Sequence, residues 1–267
     1  LLYAIFAQDL KFVLDRLDVI YKLYADDLKI YIEVKDDKDK AELQKAIDVV
    51  LLWAHLNRME ISTSTCAVLK TVKDDISYFM NGLSIPEVSI YKDLGVTFDC
   101  QMKYTSHIAE VVKSASRLCN LILRAFIGHD PAMYIKLYDT LVVPRWTYCS
   151  HVWAPFYRKD VELLQRVEDK FVKRVAWRCN VRCESLVLPT VSEYQMQVDV
   201  RLFKQLIRSN TFSTFFTLRP NNLRSGVSVT PPEVANVEVV NNAFAWRVSR
   251  RAHQCKDYYV ILTPLFQ

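Results

Sequence analysis

The sequence predicts an α+β protein: short antiparallel strands and helices over residues 1–100, an all-helical stretch over 101–182, and a less regular C-terminal segment over 183–267. Three observations carry this. Apolar and polar residues alternate on both sides of Asp26-Asp27 and flank the Asn81-Gly82 step, the patterns of β-hairpins. From Ser106 onward the apolar residues recur at three-and-four spacing, which marks helices packed on a core. Beyond them Pro220, Pro231 and Pro232 break the periodicity. With 267 residues, 51% of them hydrophobic, the chain can bury the core of one large domain or two small ones.

In order along the chain, Leu2, Ile5, Phe6, Leu10, Val13, Leu14 and Leu17 predict an amphipathic helix over the first 17 residues. Ile20 to Ile32 reads as a hairpin with its acids at the tip. Asp37 or Asp39 is the expected N-cap of a helix that runs to about Leu56 through Leu43, Ile47, Val50 and Ala54. A strand near Cys66–Leu69 follows, then the pair Ile76–Met80 and Leu83–Val88 joined by Asn81-Gly82, then a strand from Tyr91 to Phe98 that contains Gly95.

Ile108, Val111, Val112, Ala115, Leu118, Cys119, Ile122 and Phe126 form the stripe of the first long helix, closed by Gly128 and Pro131. A second helix over 131–142 is expected to stop before Pro144. A third, from Asp160 to about Trp177, buries Leu164, Val167, Phe171 and Val175. It exposes Arg166, Lys170, Lys173 and Arg174. Ser192-x-x-Gln195 reads as the capping box of a fourth.

Composition excludes several chemistries. The only glycines are Gly82, Gly95, Gly128 and Gly226, too few and too scattered for a phosphate-cradling loop or a nucleophile elbow. Seven cysteines at scattered positions read as reduced intracellular thiols. Cys179 and Cys183 have the spacing of two zinc ligands, but His253 and Cys255 lie far off and no second pair completes a site. No apolar run is long enough to span a bilayer, so no membrane association is expected, and the opening on Leu1 suggests a fragment. Charge is uneven: residues 1–100 hold 12 Lys/Arg against 17 Asp/Glu, a net −5, and residues 101–267 hold 23 against 13, a net +10. An acidic half beside a basic half suits a metal-using site next to a polyanion-binding surface; chance segregation of solvated charge is the other reading.

The sharpest feature is Leu23-Tyr24-Ala25-Asp26-Asp27-Leu28. Adjacent carboxylates on a turn between apolar strands repel one another, and a divalent cation removes that cost. Such acids are what phosphoryl transfer needs, one Mg²⁺ activating a 3′-hydroxyl and a second steadying the leaving pyrophosphate. Solvated turn residues are the bland alternative.

The Tyr-Ala-Asp-Asp tetrapeptide resembles motif C of the reverse transcriptases of retrotransposons that lack long terminal repeats, the LINE-like group. The resemblance continues through Trp53, Ile61 to Cys66, Tyr91-Lys92-Asp93-Leu94-Gly95-Val96, His107-Ile108, Leu141 to Pro144, Tyr148 to Pro155, and Asn242 to Val248 with Arg247. It covers most of the chain, with gaps after residue 182. What it implies is an RNA-directed DNA polymerase, a nucleotidyltransferase: a partial right-hand palm over 1–100, a helical thumb over 101–182, and a post-thumb segment over 183–267.

On this resemblance Asp26 matches the main metal-binding aspartate and Asp27 its neighbour, with Mg²⁺ or Mn²⁺ as cofactor. Tyr24 would lie near the primer end. Lys92 to Phe98 match the hairpin that grips the primer, with Lys92, Leu94 and Gly95 as contact residues and core packing as the plainer role of Leu94. Arg166, Lys170, Lys173 and Arg174 could lie along phosphates or form a solvated face. The implied partners are an RNA template, a DNA primer and, in the intact enzyme, a dNTP. No obligate protein partner is inferred. The implied location is intracellular, nuclear or cytoplasmic.

Two departures weigh on activity. A palm needs a further metal aspartate from an earlier strand, and Asp9, Asp15 and Asp18 fall in or just after the opening helix; that aspartate and the fingers are expected upstream of Leu1. Thr65 stands where similar sequences commonly have a lysine that helps to protonate pyrophosphate, and a shifted match to Lys70 is the alternative. The sequence therefore predicts a reverse-transcriptase fragment that is inactive as this chain alone. The other reading is a non-catalytic nucleic-acid-binding remnant or scaffold.

Overall fold

Hairpins and caps set out most of the first part of the chain. In the computed structural model, helix α1 (Gln8–Leu14) precedes strands β1 (Ile20–Tyr24) and β2 (Asp27–Tyr31), which pair antiparallel from Ile20↔Tyr31 to Tyr24↔Asp27. Residues 5–34, 36–71, 75–155, 157–209, 216–220, 227–230 and 244 are described. The chain divides into two compact units, Leu1–Tyr91 and Lys92–Gln267.

In the first unit, helix α2 (Asp37–Leu56) begins on Asp36, one residue before the expected cap. The Asp36 carboxylate accepts from the backbone N–H of Lys38 and Asp39 at 2.9 and 3.0 Å, and Asp39 returns the bond to the Asp36 N–H at 3.2 Å. Only Asp36 has the extended backbone that lets a side chain reach back over the first turn. Leu10 and Leu14 of α1 and Val50 of α2 form a small buried core, with Tyr21, Leu28, Ile30 and Trp53 packed against it. A lone hairpin is marginal in water, so these two helices are what hold β1 and β2 in place.

The remaining strands of this unit are short. β3 (Val68–Leu69) pairs parallel with β6 (Glu87–Val88), and β4 (Phe79–Met80) pairs with β5 (Leu83–Ser84) across Asn81-Gly82, both at positive φ. The strand expected over 83–88 is split because Pro86 has no N–H to donate to a ladder. The Tyr91–Phe98 stretch is likewise a hairpin, β7 (Ile90–Asp93) and β8 (Val96–Asp99), turning at Leu94 (φ 44°) and Gly95 (φ 82°). The described strands thus form five two-stranded sheets instead of one continuous sheet, within a mixed α+β chain that is mostly helical.

Helix α3 (Thr105–Ala125) starts after a loop that Asp99 organises, its carboxylate accepting from the N–H groups of Gln101, Lys103 and Tyr104 at 2.7–3.1 Å. Helix α4 (Pro131–Leu137) is capped by Asp130 and continues through a π-turn, Tyr138–Val142, into α5 (Val143–Thr147). The sequence expectation of a stop before Pro144 is corrected here. Widening to a π-turn shifts the hydrogen-bond register, so Pro144 falls in the first turn of a new helical segment where its missing N–H costs nothing.

After the short α6 (Ser150–Trp153), α7 (Arg158–Cys179) runs to Asn180, left-handed at φ 53°, a helix-ending conformation that asparagine tolerates. Helix α8 (Val191–Ile207) is boxed by Thr190 and Glu193, correcting the Ser192/Gln195 assignment. Pro189 forces the residue before it out of helical backbone, so the helix starts just beyond it, and Gln195 is buried. Two further strands, β9 (Thr217–Pro220) and β10 (Val227–Thr230), pair antiparallel.

The core of the second unit is aromatic. Trp146, Trp153, Tyr134 and Tyr138 are fully buried with Ile108, Ile122, Leu164 and Val175, so neither tryptophan has a ring face open to stack on a base. Among the described residues no helix is long and apolar enough to cross a membrane. Arg247, His253 and Cys255 lie outside the described residues.

Three carboxylates of this unit, Asp160, Glu168 and Asp199, are buried. Glu168 accepts from the Tyr138 hydroxyl at 3.0 Å and from the Gln165 amide at 2.8 Å, and burial, with Asp169 and Glu193 nearby, raises its pKa above the usual glutamate value. With the folded pKa above the unfolded one, the folded state holds a proton that the unfolded state has lost. Stability therefore falls as pH rises from about 4.5 through the raised pKa. Glu168→Gln keeps an acceptor for Tyr138 without the charge. It is expected to raise the melting temperature by roughly 2–4 °C at pH 8, a gap that closes at pH 4.5. A variant less stable than wild type at pH 8 would refute the buried-charge account.

Candidate metal and nucleic-acid site

The tip of the β1–β2 hairpin is a two-residue turn, Ala25-Asp26, closed by the Tyr24↔Asp27 pair. Ala25 has φ 51°, a left-handed conformation that a residue with a Cβ adopts at a cost of about 1 kcal/mol. Asp26 and Asp27 are both exposed, and Tyr24 is 66% exposed on the same sheet face as Asp27. The pleat explains this division: Tyr21 and Ile30 face the small core, while Lys22, Tyr24 and Asp27 take the opposite face.

Two exposed carboxylates are hard oxygen donors, and Mg²⁺ is commonly held by one or two carboxylates with water completing its shell. Asp26 and Asp27 fit one such ion by donor type. A two-metal centre needs more, and among the described residues no group of three or more His, Cys, Asp or Glu side chains lies together to hold a metal. That holds for Cys179 and Cys183 as well, the first half-buried and the second exposed.

The two residues weighed for leaving-group protonation are both engaged within the first unit. The Thr65 hydroxyl donates to the Ser62 carbonyl at 2.9 Å. The Lys70 ammonium pairs with Glu87 at 2.9 Å and is only 10% exposed.

The β7–β8 hairpin belongs, from Lys92 onward, to the second unit. Lys92 pairs with Glu110 of α3 at 3.1 Å, and the same carboxylate accepts from Thr97 at 3.3 Å. His107 accepts from the Thr97 N–H through Nδ1 at 3.2 Å and meets Trp153 edge-on at 5.0 Å. Burial holds its pKa below the usual histidine value, in keeping with an acceptor nitrogen. The Leu94 carbonyl accepts from the Tyr148 hydroxyl at 2.8 Å, and a Cβ on Gly95 would meet the Tyr148 ring at 3.4 Å. Gly95 thus has an internal reason to be glycine, a positive φ under an aromatic ring.

Arg166, Lys170, Lys173 and Arg174 are all exposed on one face of α7. Arg166 shares Glu162 with Arg158, at 3.4 and 2.8 Å, so the start of the face is partly neutralised. Lys170, Lys173 and Arg174 have no ion pair among the described residues. Arg174 instead donates to the Asn120 side chain of α3 at 2.7 Å.

The chain is similar to an uncharacterized Caenorhabditis elegans protein, 28% identical over 128 residues, 47% of this chain. It spans 65% of the length of that relative. No family model matches the chain, and no solved structure does.

Sequence reasoning missed Trp177. It is 85% exposed, and it continues the basic face of α7 at the spacing of Arg166, Lys170, Lys173 and Arg174. That spacing was the available signal; a tryptophan at a helix end reads as core until its exposure is known.

Gly95→Ala is expected to destabilise the second unit by about 1–2 kcal/mol, because alanine resists φ 82°. Thermal melting would register this. An unchanged midpoint would mean that the turn relaxes freely.

Proposed function

We propose that this chain supplies the Tyr-Ala-Asp-Asp hairpin and the basic helical region of a LINE-type reverse transcriptase. On this reading residues 1–100 are part of the palm, residues 101–182 are the thumb, and RNA template and DNA primer are the ligands. The single observation that supports it most is the hairpin itself. A strained two-residue turn puts exposed Asp26 at the tip, and Asp27 follows at the first position of β2, on the sheet face opposite the one seated on two helices. A bare acidic pair in a solvated loop has none of these features.

In the intact enzyme Mg²⁺ or Mn²⁺ would supply the Lewis acidity that activates a primer 3′-hydroxyl. Asp26 would hold the ion with Asp27 beside it, and Tyr24, on the face shared with Asp27, would lie against the primer end. Lys92, Leu94 and Gly95 would border the primer strand, and Lys170, Lys173 and Arg174 would lie along phosphates with Arg166 beside them. The second reading is nucleic-acid binding without catalysis, as a remnant or scaffold. It is favoured by the absence, among the described residues, of a third acid grouped with Asp26 and Asp27. On both readings this chain alone binds a primer–template and does not extend it.

Binding to an RNA–DNA primer–template is expected to weaken steeply with salt. Replacing Lys170, Lys173 and Arg174 together by alanine should flatten the slope of log affinity against log salt by roughly 2–3. An unchanged slope would take these residues out of the interface. Primer extension on an RNA template with Mg²⁺ or Mn²⁺ is expected to give no product. Incorporation that disappears with Asp26→Ala would instead establish a complete catalytic centre, and a chain that binds no nucleic acid at any salt would sink both readings.

A further inference from the structure

Three polar contacts run α3 and α7 side by side in the same direction. Thr105 donates to Asp160 at 3.3 Å, Arg174 to Asn120 at 2.7 Å, and Arg178 to the Leu123 carbonyl, a nearly constant offset of 54–55 residues. The C-terminal ends of the two helices therefore lie together. Between them is a solvent-open cleft of about 520 Å³ lined by Asn120, Leu123, Arg124, Arg174, Trp177 and Arg178.

Its chemistry is one-sided. Arg124, Arg174 and Arg178 bring three guanidinium groups to the cleft, and none has a carboxylate partner among the described residues. Arg178 is occupied structurally, donating to the Leu123 and Phe126 carbonyls that end α3 and to the Tyr134 hydroxyl at 3.2 Å. Helix-end dipoles account for Arg178. The same dipole favours Arg124, in the last turn of α3, yet among the described residues its guanidinium makes a single 3.4 Å bond, to the Asn120 carbonyl; Arg174 lies more than a turn before the end of α7 and bonds, among the described residues, to the Asn120 amide oxygen. Each keeps most of its five N–H donors for something else. Dipoles do not explain an indole left 85% in water beside them.

A ligand that uses all of these groups is anionic and carries a flat aromatic face. We propose that the cleft binds an unpaired stretch of nucleic acid, one base stacked on Trp177 and the adjoining phosphate held by Arg124 and Arg174. A free phosphate or an acidic peptide would engage the arginines and leave the indole idle, whereas a duplex hides its base faces within the stack. This deepens the nucleic-acid reading above and rests on it: the basic face of α7 tracks the backbone, and the cleft at its end takes a single-stranded portion.

The test is fluorescence anisotropy on the full chain, with labelled oligo(dT), a blunt duplex of equal length and a poly-glutamate peptide, and inorganic phosphate as competitor. Because the Trp177 side chain is exposed, Trp177→Ala leaves the fold intact. Its affinity for oligo(dT) is expected to fall roughly 10-fold, the scale of one lost base–aromatic stack, with duplex affinity unchanged. Trp177→Phe, which still offers a ring, should recover most of the loss. Arg124→Ala with Arg174→Ala should weaken oligo(dT) binding and lower its salt dependence. Equal oligo(dT) affinity for wild type and Trp177→Ala would overturn the inference and leave the broader reading standing. Poly-glutamate binding as tight as oligo(dT), or complete displacement by phosphate at comparable concentration, would also overturn it. Failure of the wild-type chain to bind any nucleic acid would bring down the broader reading as well.

Discussion

The parallel packing of α3 against α7 is the constraint on which the second unit depends. An apolar stripe on α3, with Ile108, Val111, Ala115, Cys119 and Ile122, meets Leu164, Val167, Phe171 and Val175 of α7 in one core. The apolar contact sets how closely the helices approach but leaves their sliding position loosely determined. The polar rungs at both ends fix that position, because displacing one helix by a turn would leave the buried Asp160 without Thr105 and the terminal carbonyls of α3 without Arg178. Once the register is fixed, Asn120 meets Arg174, and Arg124 and Trp177 border one cleft. The site follows from the packing.

The β1–β2 hairpin of the first unit rests on less. The cluster it packs on has Leu10, Leu14 and Val50 as its buried side chains, so the hairpin keeps its shape through support on one face. The opposite face carries Tyr24, Asp27, Lys22 and Tyr31 into solvent. The left-handed Ala25 is held by the hairpin ladder on either side, and strain of this kind persists where a turn is over-determined by its strands. An acid pair on a stiff turn can meet a cation with little loss of chain entropy, which a pair on a loose loop cannot.

Several candidate residues have structural reasons to exist that sequence patterns do not disclose. Lys92 is engaged by Glu110, and Gly95 sits under Tyr148, so their presence does not by itself require a nucleic acid. Arg166 is shared with an acid one turn away. Within α7 the cations without an ion pair among the described residues are Lys159 at its start and Lys170, Lys173, Arg174 and Arg178 toward its end, which raises the positive potential of that end.

The sequence alone determined the features set by short-range spacing. Alternation about Asp26-Asp27, the Asn81-Gly82 turn and the stripes of α3 and α7 were legible because each depends on neighbours within about one turn or one hairpin. Element edges were less so: Pro144 fell inside a helical segment, and Asp36 and Thr190 took caps that other residues also fitted. Only the tertiary structure decided which tryptophans are core and which is bare. Trp146, Trp153 and Trp177 all lie in helices among apolar neighbours, yet two are fully buried and one is 85% exposed. The physical reason is that burial depends on what packs across from a side chain. For Trp153 one such partner is His107, 46 residues away in the chain and beyond the reach of local periodicity.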